Sequence, residues 1–278
     1  MEGRHAVAPA LRCSSNRPLR RHNLRKLLLA ALAALLAAGS AGAITNGEPD
    51  GNGHPYVGLI GFFNADGTQG HLCSGTLLSP TVVLTAGHCT YQSPAAFVWF
   101  TPRAPAGPPI PALPVTNPSF SPTLEVPDTG DIGVVLLSRP VVLPQYGALP
   151  TAGLLDSFAR RKGQQDLDLT IVGYGLQAVR PEPVFTGERI VGKAQIRNLN
   201  SNLVRGFGLQ TSNSPGNGTG GSGTCEGDSG GPMLLGDSNV VVAVNSWAQN
   251  TSCIGNDFSY RTDTAAARAF LGRFVPLP

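Results

Sequence analysis

Glycine and proline cut this chain into short pieces. From Tyr56 to Arg261 the apolar residues come in brief, often β-branched runs, and 35 Gly and 24 Pro are spread over the 278 residues. Runs of this kind fit strands between turns and leave little room for long helices. Residues 56–63, 75–78, 82–85, 132–137, 169–172, 240–244 and 259–261 read as strands of an all-β fold. The exception comes last. Residues 264–274 read as a helix, with Asp263 or Thr262 as N-cap and Pro276 beyond it.

The formal net charge of +3 hides an asymmetry. Residues 1–43 carry seven of the 20 basic side chains and one of the 17 acidic ones, so the remainder is net −3. Nothing past residue 43 has the basic density of a nucleic-acid surface, and no nucleic-acid partner is expected. Within the basic segment, residues 27–38 (LLLAALAALLAA) contain no polar side chain. That run is shorter than the roughly 20 residues of a membrane span, but it fits a signal-peptide core. Ala41-Gly42-Ala43 supplies the small residues of a cleavage site. Residues 1–43 therefore read as a signal peptide, leaving Ile44 as the new N-terminus of a secreted chain with no stable membrane anchor. Arg20-Arg21 with Leu24 only faintly matches a twin-arginine signal, because Asn23 stands where an aromatic is usual.

Cysteine usage points to the same compartment. Cys13 lies in the leader, and Cys73, Cys89, Cys225 and Cys253 remain. Four cysteines in an exported chain suggest two disulfides, with three pairings open. A zinc site is the rival, but no C-x2-C spacing occurs and the only histidine beside a cysteine is His88. No metal and no organic cofactor are expected. Two stretches read as loops by composition. Residues 101–127 are proline-rich and suit a surface connection better than a ligand for a partner module. Residues 212–223 are Gly/Ser-rich but lack phosphate-loop spacing.

The chemistry concentrates in three places. Gly227-Asp228-Ser229-Gly230-Gly231-Pro232 is a turn that can expose a serine and aim the Gly227 and Ser229 N–H groups at one point. A serine hydroxyl becomes a nucleophile only with a base to take its proton and donors for the oxyanion. The base candidate is His88, in Thr85-Ala86-Gly87-His88-Cys89; His54 and His71 lack so specific a context. Asp131 heads the apolar run 132–137 and could accept from a histidine Nδ1–H, with Asp128 as its rival in the preceding loop.

On these motifs, in the order His, Asp, Ser, the chain resembles the trypsin/chymotrypsin-like serine proteases from Ile44 to the C-terminal helix. The resemblance implies two packed six-stranded antiparallel β-barrels, a boundary between them near residues 150–165, and a C-terminal α-helix. It implies a catalytic triad of His88, Asp131 and Ser229, with the Gly227 and Ser229 amides as oxyanion hole. It also implies disulfides Cys73–Cys89 and Cys225–Cys253, and an ammonium at Ile44 paired with Asp228. Gly173-Tyr174-Gly175 is similar to a Gly-Trp-Gly segment with Tyr for Trp, and Ile44-Thr45-Asn46-Gly47 departs from Ile-Val-Gly-Gly.

By the same resemblance Gly223 and Thr224 lie at the specificity pocket, Ser246 braces Asp131, Trp247 lines the cleft and Ala248 narrows its mouth. With no aspartate at position 223, an uncharged small-to-medium P1 residue is expected. Glu226 at the rim, and Asp257 or Phe258 near the pocket, are the features that could change this. The expected partners are protein or peptide substrates and protein inhibitors, and the expected state is a monomer. Two rival functions are a secreted binding protein that has lost catalysis and an esterase on another fold. The first normally lacks a triad member, and the second uses the opposite residue order.

Overall fold

The computed structural model describes residues 44–123, 128–159, 168–179, 181–212 and 221–278. The signal peptide read over residues 1–43 and most of the Gly/Ser-rich loop lie outside the described residues. After the two-residue β1 (Glu48–Pro49), six strands close into a barrel: β2 (Val57–Phe63), β3 (Gln69–Ser79), β4 (Val82–Thr85), β5 (Ala95–Trp99), β6 (Ile110–Thr116) and β7 (Gly133–Leu137). Their order around the barrel is β2-β3-β4-β7-β6-β5, all antiparallel. Closure removes the open edges that would otherwise invite pairing with another chain.

The second barrel repeats the plan with β8 (Asp168–Gly173), β9 (Ile190–Asn198), β10 (Gly208–Ser212), β11 (Pro232–Leu235), β12 (Val241–Ala248) and β13 (Asn256–Arg261). Its order is β8-β9-β10-β13-β12-β11, closing back on β8, with β1 added to β9. Inward-facing Val, Ile and Leu fill both interiors, among them Ile60, Leu77, Leu84 and Val134 in the first and Leu169, Ile171 and Val242 in the second. Each such burial is worth roughly 1.5–3 kcal/mol. Among the described residues helices are few: α1 (Gly87–Thr90), α2 (Asp156–Ala159) and α3 (Ala265–Leu271).

Two expectations need correction. The proline-rich stretch 101–127 contains β6, which the sequence reading missed. Pro111 keeps its carbonyl, which accepts from Ser138 N–H at 2.9 Å. Pro114 lies past Ala112, where pairing with β5 ends and one side of β6 becomes an edge. A missing N–H costs little there. The last helix is shorter than expected, and its N-cap is Thr264, whose side chain accepts from Ala267 N–H; neither Asp263 nor Thr262 serves. Asp263 is instead held by the Arg261 guanidinium, 2.8 Å away.

A buried arginine ties the two barrels to the N-terminal segment. Arg189 is wholly buried, with Nε 2.7 Å from Asp50 Oδ2, Nη1 donating to the Val57 carbonyl and Nη2 to the Gly51 carbonyl. Nη1 also donates to the Tyr174 hydroxyl, which in turn donates to the Thr101 carbonyl at 2.7 Å. A tryptophan at 174 could not join this chain of bonds in the same way, because its indole N–H cannot accept. Burial opposes ionisation of Asp50, but hydrogen bonds from His54 and Arg189 outweigh it and hold the carboxyl at about 2.

Breaking a buried pair leaves an uncompensated charge, so Arg189→Met should lower unfolding stability by about 3–5 kcal/mol in denaturant titration. The Asp50 contribution should be complete above the ordinary carboxylate range and lost as pH falls through about 2. A change under about 1 kcal/mol, the size of a surface pair, would mean that the arginine is not structural.

Candidate active site

The His88 setting follows from its neighbours in the chain. β4 runs straight into α1, with Ala86 extended at the N-cap, so His88 sits on a single helical turn. The Cys73–Cys89 disulfide fastens that turn to β3, and Thr90 Oγ1 donates to the Gly87 carbonyl at 2.9 Å. Because those two sulfurs are bonded to each other, neither is a thiolate for a metal, although both lie close to the His88 ring.

Asp131 approaches just ahead of β7. Its carboxylate is buried, whereas the His88 side chain keeps about a third of its surface (34%) in solvent. Asp131 Oδ1 accepts the His88 backbone N–H at 2.7 Å, and His88 Nδ1 lies 2.9 Å from Oδ2. The Ser246 hydroxyl donates to the same Oδ2. A proton on Nδ1 satisfies the carboxylate and leaves the Nε2 lone pair free to act as a base. The rival Asp128 is engaged elsewhere, accepting from the Tyr260 hydroxyl at 2.9 Å and from Gly130 N–H.

The two groups shift each other. Burial alone would push the His88 pKa down, but the charge and hydrogen bond of Asp131 outweigh it and raise it above the ordinary 6.5. Burial likewise opposes ionisation of Asp131, and the His88 charge with bonds from His88 and Ser246 brings its carboxyl below 3.8.

Ser229 sits in a turn that only glycine permits on either side. Gly227 has φ +94° and Gly230 φ +76°. A Cβ on Gly230 would come within 2.0 Å of Thr85 Oγ1, and one on Gly227 within 2.8 Å of the Gly175 Cα. Ser74, on β3 of the first barrel, braces this second-barrel turn: its Oγ donates to the Gly227 carbonyl at 2.9 Å and its N–H to the Ser229 carbonyl at 2.8 Å. Among the described residues, the Gly227 and Ser229 N–H groups donate to no protein acceptor. Two free donors beside a serine are what a developing oxyanion requires.

Asp228 points the other way and is fully buried. It accepts Gly175 N–H at 2.8 Å and Cys225 N–H at 2.9 Å. Burial pushes its carboxyl well above 3.8; those bonds pull it back in part, and the Asp257 charge adds to the rise. Ile44 is wholly buried in the core of the second barrel. Next to it, Thr45 exchanges both backbone hydrogen bonds with Gly223. Gly223 is buried and is not among the residues that line the cavity on which Thr224 lies.

Two cavities meet at Ser229. One, of about 340 Å³, is lined by Thr224, Ser246, Trp247 and Ala248 together with Cys225 and Cys253, which form a disulfide. The other, of about 600 Å³, has His88, Gly227 and Ser229 on its wall. The Trp247 ring stacks on Phe258, with centroids 3.8 Å apart. Asp257 is opposite Ala248 in the β12–β13 register, and its Oδ2 accepts Thr224 N–H at 2.7 Å. The sequence reading missed Ser74, Asn245, whose Nδ2 donates to the Asp228 carbonyl, and the apolar residues of the larger cavity. Ser74 and Leu72 carried a signal, as the two neighbours of the half-cystine Cys73.

Known proteins resemble this chain in sequence and fold. The Trypsin family model matches residues 44–269. A protein named Trypsin from Saccharopolyspora erythraea is 29% identical over 213 residues, covering 74% of this chain and 87% of that protein. The solved structure of HL collagenase has the same fold, with a TM-score of 0.65 at 18% identity over 83% of this chain and 98% of that one.

Both influences that raise the His88 pKa come from Asp131. In an NMR titration His88 should therefore lose its proton above pH 6.5, and Asp131→Asn, which leaves burial in control, should bring it below that value. An unchanged titration in the variant would show that the carboxylate does not govern the ring.

Proposed function

Because this chain belongs to the trypsin family of serine proteases, we propose that it is a secreted endopeptidase whose triad is His88, Asp131 and Ser229. The observation that carries the reading is the convergence at one cavity of Ser229, two free amides and a histidine oriented by a buried carboxylate. In this mechanism His88 Nε2 takes the Ser229 hydroxyl proton as Oγ attacks the scissile carbonyl carbon. Asp131 stabilises the imidazolium, and the Gly227 and Ser229 N–H groups hold the oxyanion. His88 passes that proton to the departing amine as the C–N bond breaks, and the acyl-enzyme left on Ser229 is hydrolysed by water, with His88 again as base. Protein and peptide chains are the substrates.

Specificity follows from the smaller cavity. The Ala248 methyl and the Thr224 side chain on its wall favour an uncharged small-to-medium P1 residue. One observation supports a second reading. Partners in a ladder point to the same face, so Asp257 shares the face of Ala248, and its carboxylate lies beside Thr224 where it would attract Lys or Arg. A P1 library scan separates the two: preference for Ala, Val or Leu, indifferent to Asp257→Asn, supports the first. A basic preference abolished by Asp257→Asn supports the second.

Residues 1–43 are proposed to be a signal peptide, so that export itself frees the Ile44 ammonium. Burial disfavours the charged form of Asp228, and a cation paired with it would offset that cost. Thr45, paired with the segment leading to Cys225, lies in the right part of the fold. N-terminal sequencing of the secreted protein should begin at Ile44; a start several residues earlier would refute activation by export alone. Among the described residues, no helix is long and apolar enough to cross a membrane.

An organophosphonate should attach to Ser229, and Ser229→Ala should abolish labelling and lower kcat by on the order of 10^6, the scale of removing a serine nucleophile. A folded protein that neither labels nor cleaves would instead be a binding protein on this scaffold.

A further inference from the structure

Asp128, three residues before Asp131, makes bonds that the triad does not use. Its Oδ1 accepts Gly130 N–H at 3.1 Å, which turns the side chain back on its own loop, and the Tyr260 hydroxyl at 2.9 Å. Gly130 takes φ +57°, and a Cβ there would come within 2.5 Å of the Ser119 carbonyl oxygen. Its own carbonyl accepts Asn117 Nδ2–H at 3.0 Å and Ile132 N–H at 2.7 Å. The loop that carries Asp131 is therefore pinned within its own barrel and, through Asp128, to Tyr260.

Tyr260 belongs to β13 of the second barrel and is almost wholly buried. A buried hydroxyl needs a partner, and a carboxylate is a stronger one than a neutral acceptor. Burial first, then Asp128 and the Asp131 charge, push this hydroxyl above its ordinary 10, so it stays a donor. In the β12–β13 ladder Asn245 opposes Ser259 and Trp247 opposes Phe258, which leaves Ser246 as the extra residue of a bulge. A bulge re-aims a side chain, and Ser246 donates to Asp131 Oδ2. Thr129, Ser246 and Tyr260 share the wall of one small cavity. One patch of the second barrel thus holds the Asp131 carboxylate through Ser246 and the loop that carries it through Tyr260. We propose that Asp128 and Tyr260 are a positioning pair that fixes the Asp131 carboxylate against His88. This rests on the proteolytic reading above. The other titratable groups near His88 are His71, with Nε2 2.9 Å from the Cys89 carbonyl oxygen, and Glu226, on the wall of the larger cavity; neither belongs to the loop that carries Asp131.

Tyr260→Phe tests the pair, because it removes the bond and leaves the ring and the Asp128 charge in place. With a chromogenic peptide substrate it should lower kcat by about ten- to a hundredfold, the scale of a small misplacement close to the chemistry. KM should stay nearly unchanged, since the pair acts through Asp131 and not on the substrate. In an NMR titration His88 should lose its proton at lower pH than in the wild type, because a loosened Asp131 raises it less. Asp128→Ala should do the same, and the double variant should lose no more than either alone. Asp128→Asn keeps an oxygen that accepts both bonds, so it should retain most of kcat and of the His88 titration. A Tyr260→Phe protein with wild-type kcat and His88 titration overturns the proposal. So does an Asp128→Asn as damaged as Asp128→Ala, which makes charge and not position the cause. A raised KM with kcat intact also overturns it, because that marks contact with substrate. In these cases the wild type still cleaves; a wild type that cleaves nothing overturns the proteolytic reading, and this proposal with it.

Discussion

Asp131 is almost wholly buried, and an ionised carboxyl in such a place is costly unless donors surround it. It has three: the His88 N–H, the His88 Nδ1–H and the Ser246 hydroxyl. Two come from α1, at the end of a first-barrel strand, and the third from β12 of the second barrel. Satisfying one charge therefore brings both barrels to a common point. It also fixes which nitrogen of His88 carries the proton, and so which one is free.

The Ser229 turn is held in a similar way by groups from outside its own barrel. Ser74 and Thr85 belong to the first barrel, yet Ser74 bonds both carbonyls flanking the turn and Thr85 occupies the space that a side chain at Gly230 would need. The Gly227 and Ser229 amides are thereby set before any substrate arrives. Donors fixed in advance need no reorganisation when charge develops, which is why they count for more than the same donors in water.

Much of this was legible in the residues. The Gly-rich turn at 227–232, the histidine beside a half-cystine and the carboxylate heading an apolar run each have a local signature, and the strands at 57–63, 82–85 and 133–137 show in their β-branched runs. The rest depends on contacts far apart in sequence. β6 was hidden by its prolines, because whether a missing N–H matters depends on which neighbour lies alongside. The Arg189–Asp50 pair spans 139 residues, so neither residue stands out in its own surroundings. Phe185 looks like an ordinary loop aromatic until the fold puts it on the wall of the cavity that His88 also lines.

The pH dependence of kcat/KM reports the ionisation of the free enzyme's base. The proposed mechanism needs the neutral imidazole, and the pKa of His88 is raised. The value of kcat/KM should therefore climb with pH through an ionisation centred above 6.5. A profile flat from pH 5 to 8, with the chemical step limiting, would contradict His88 as the base.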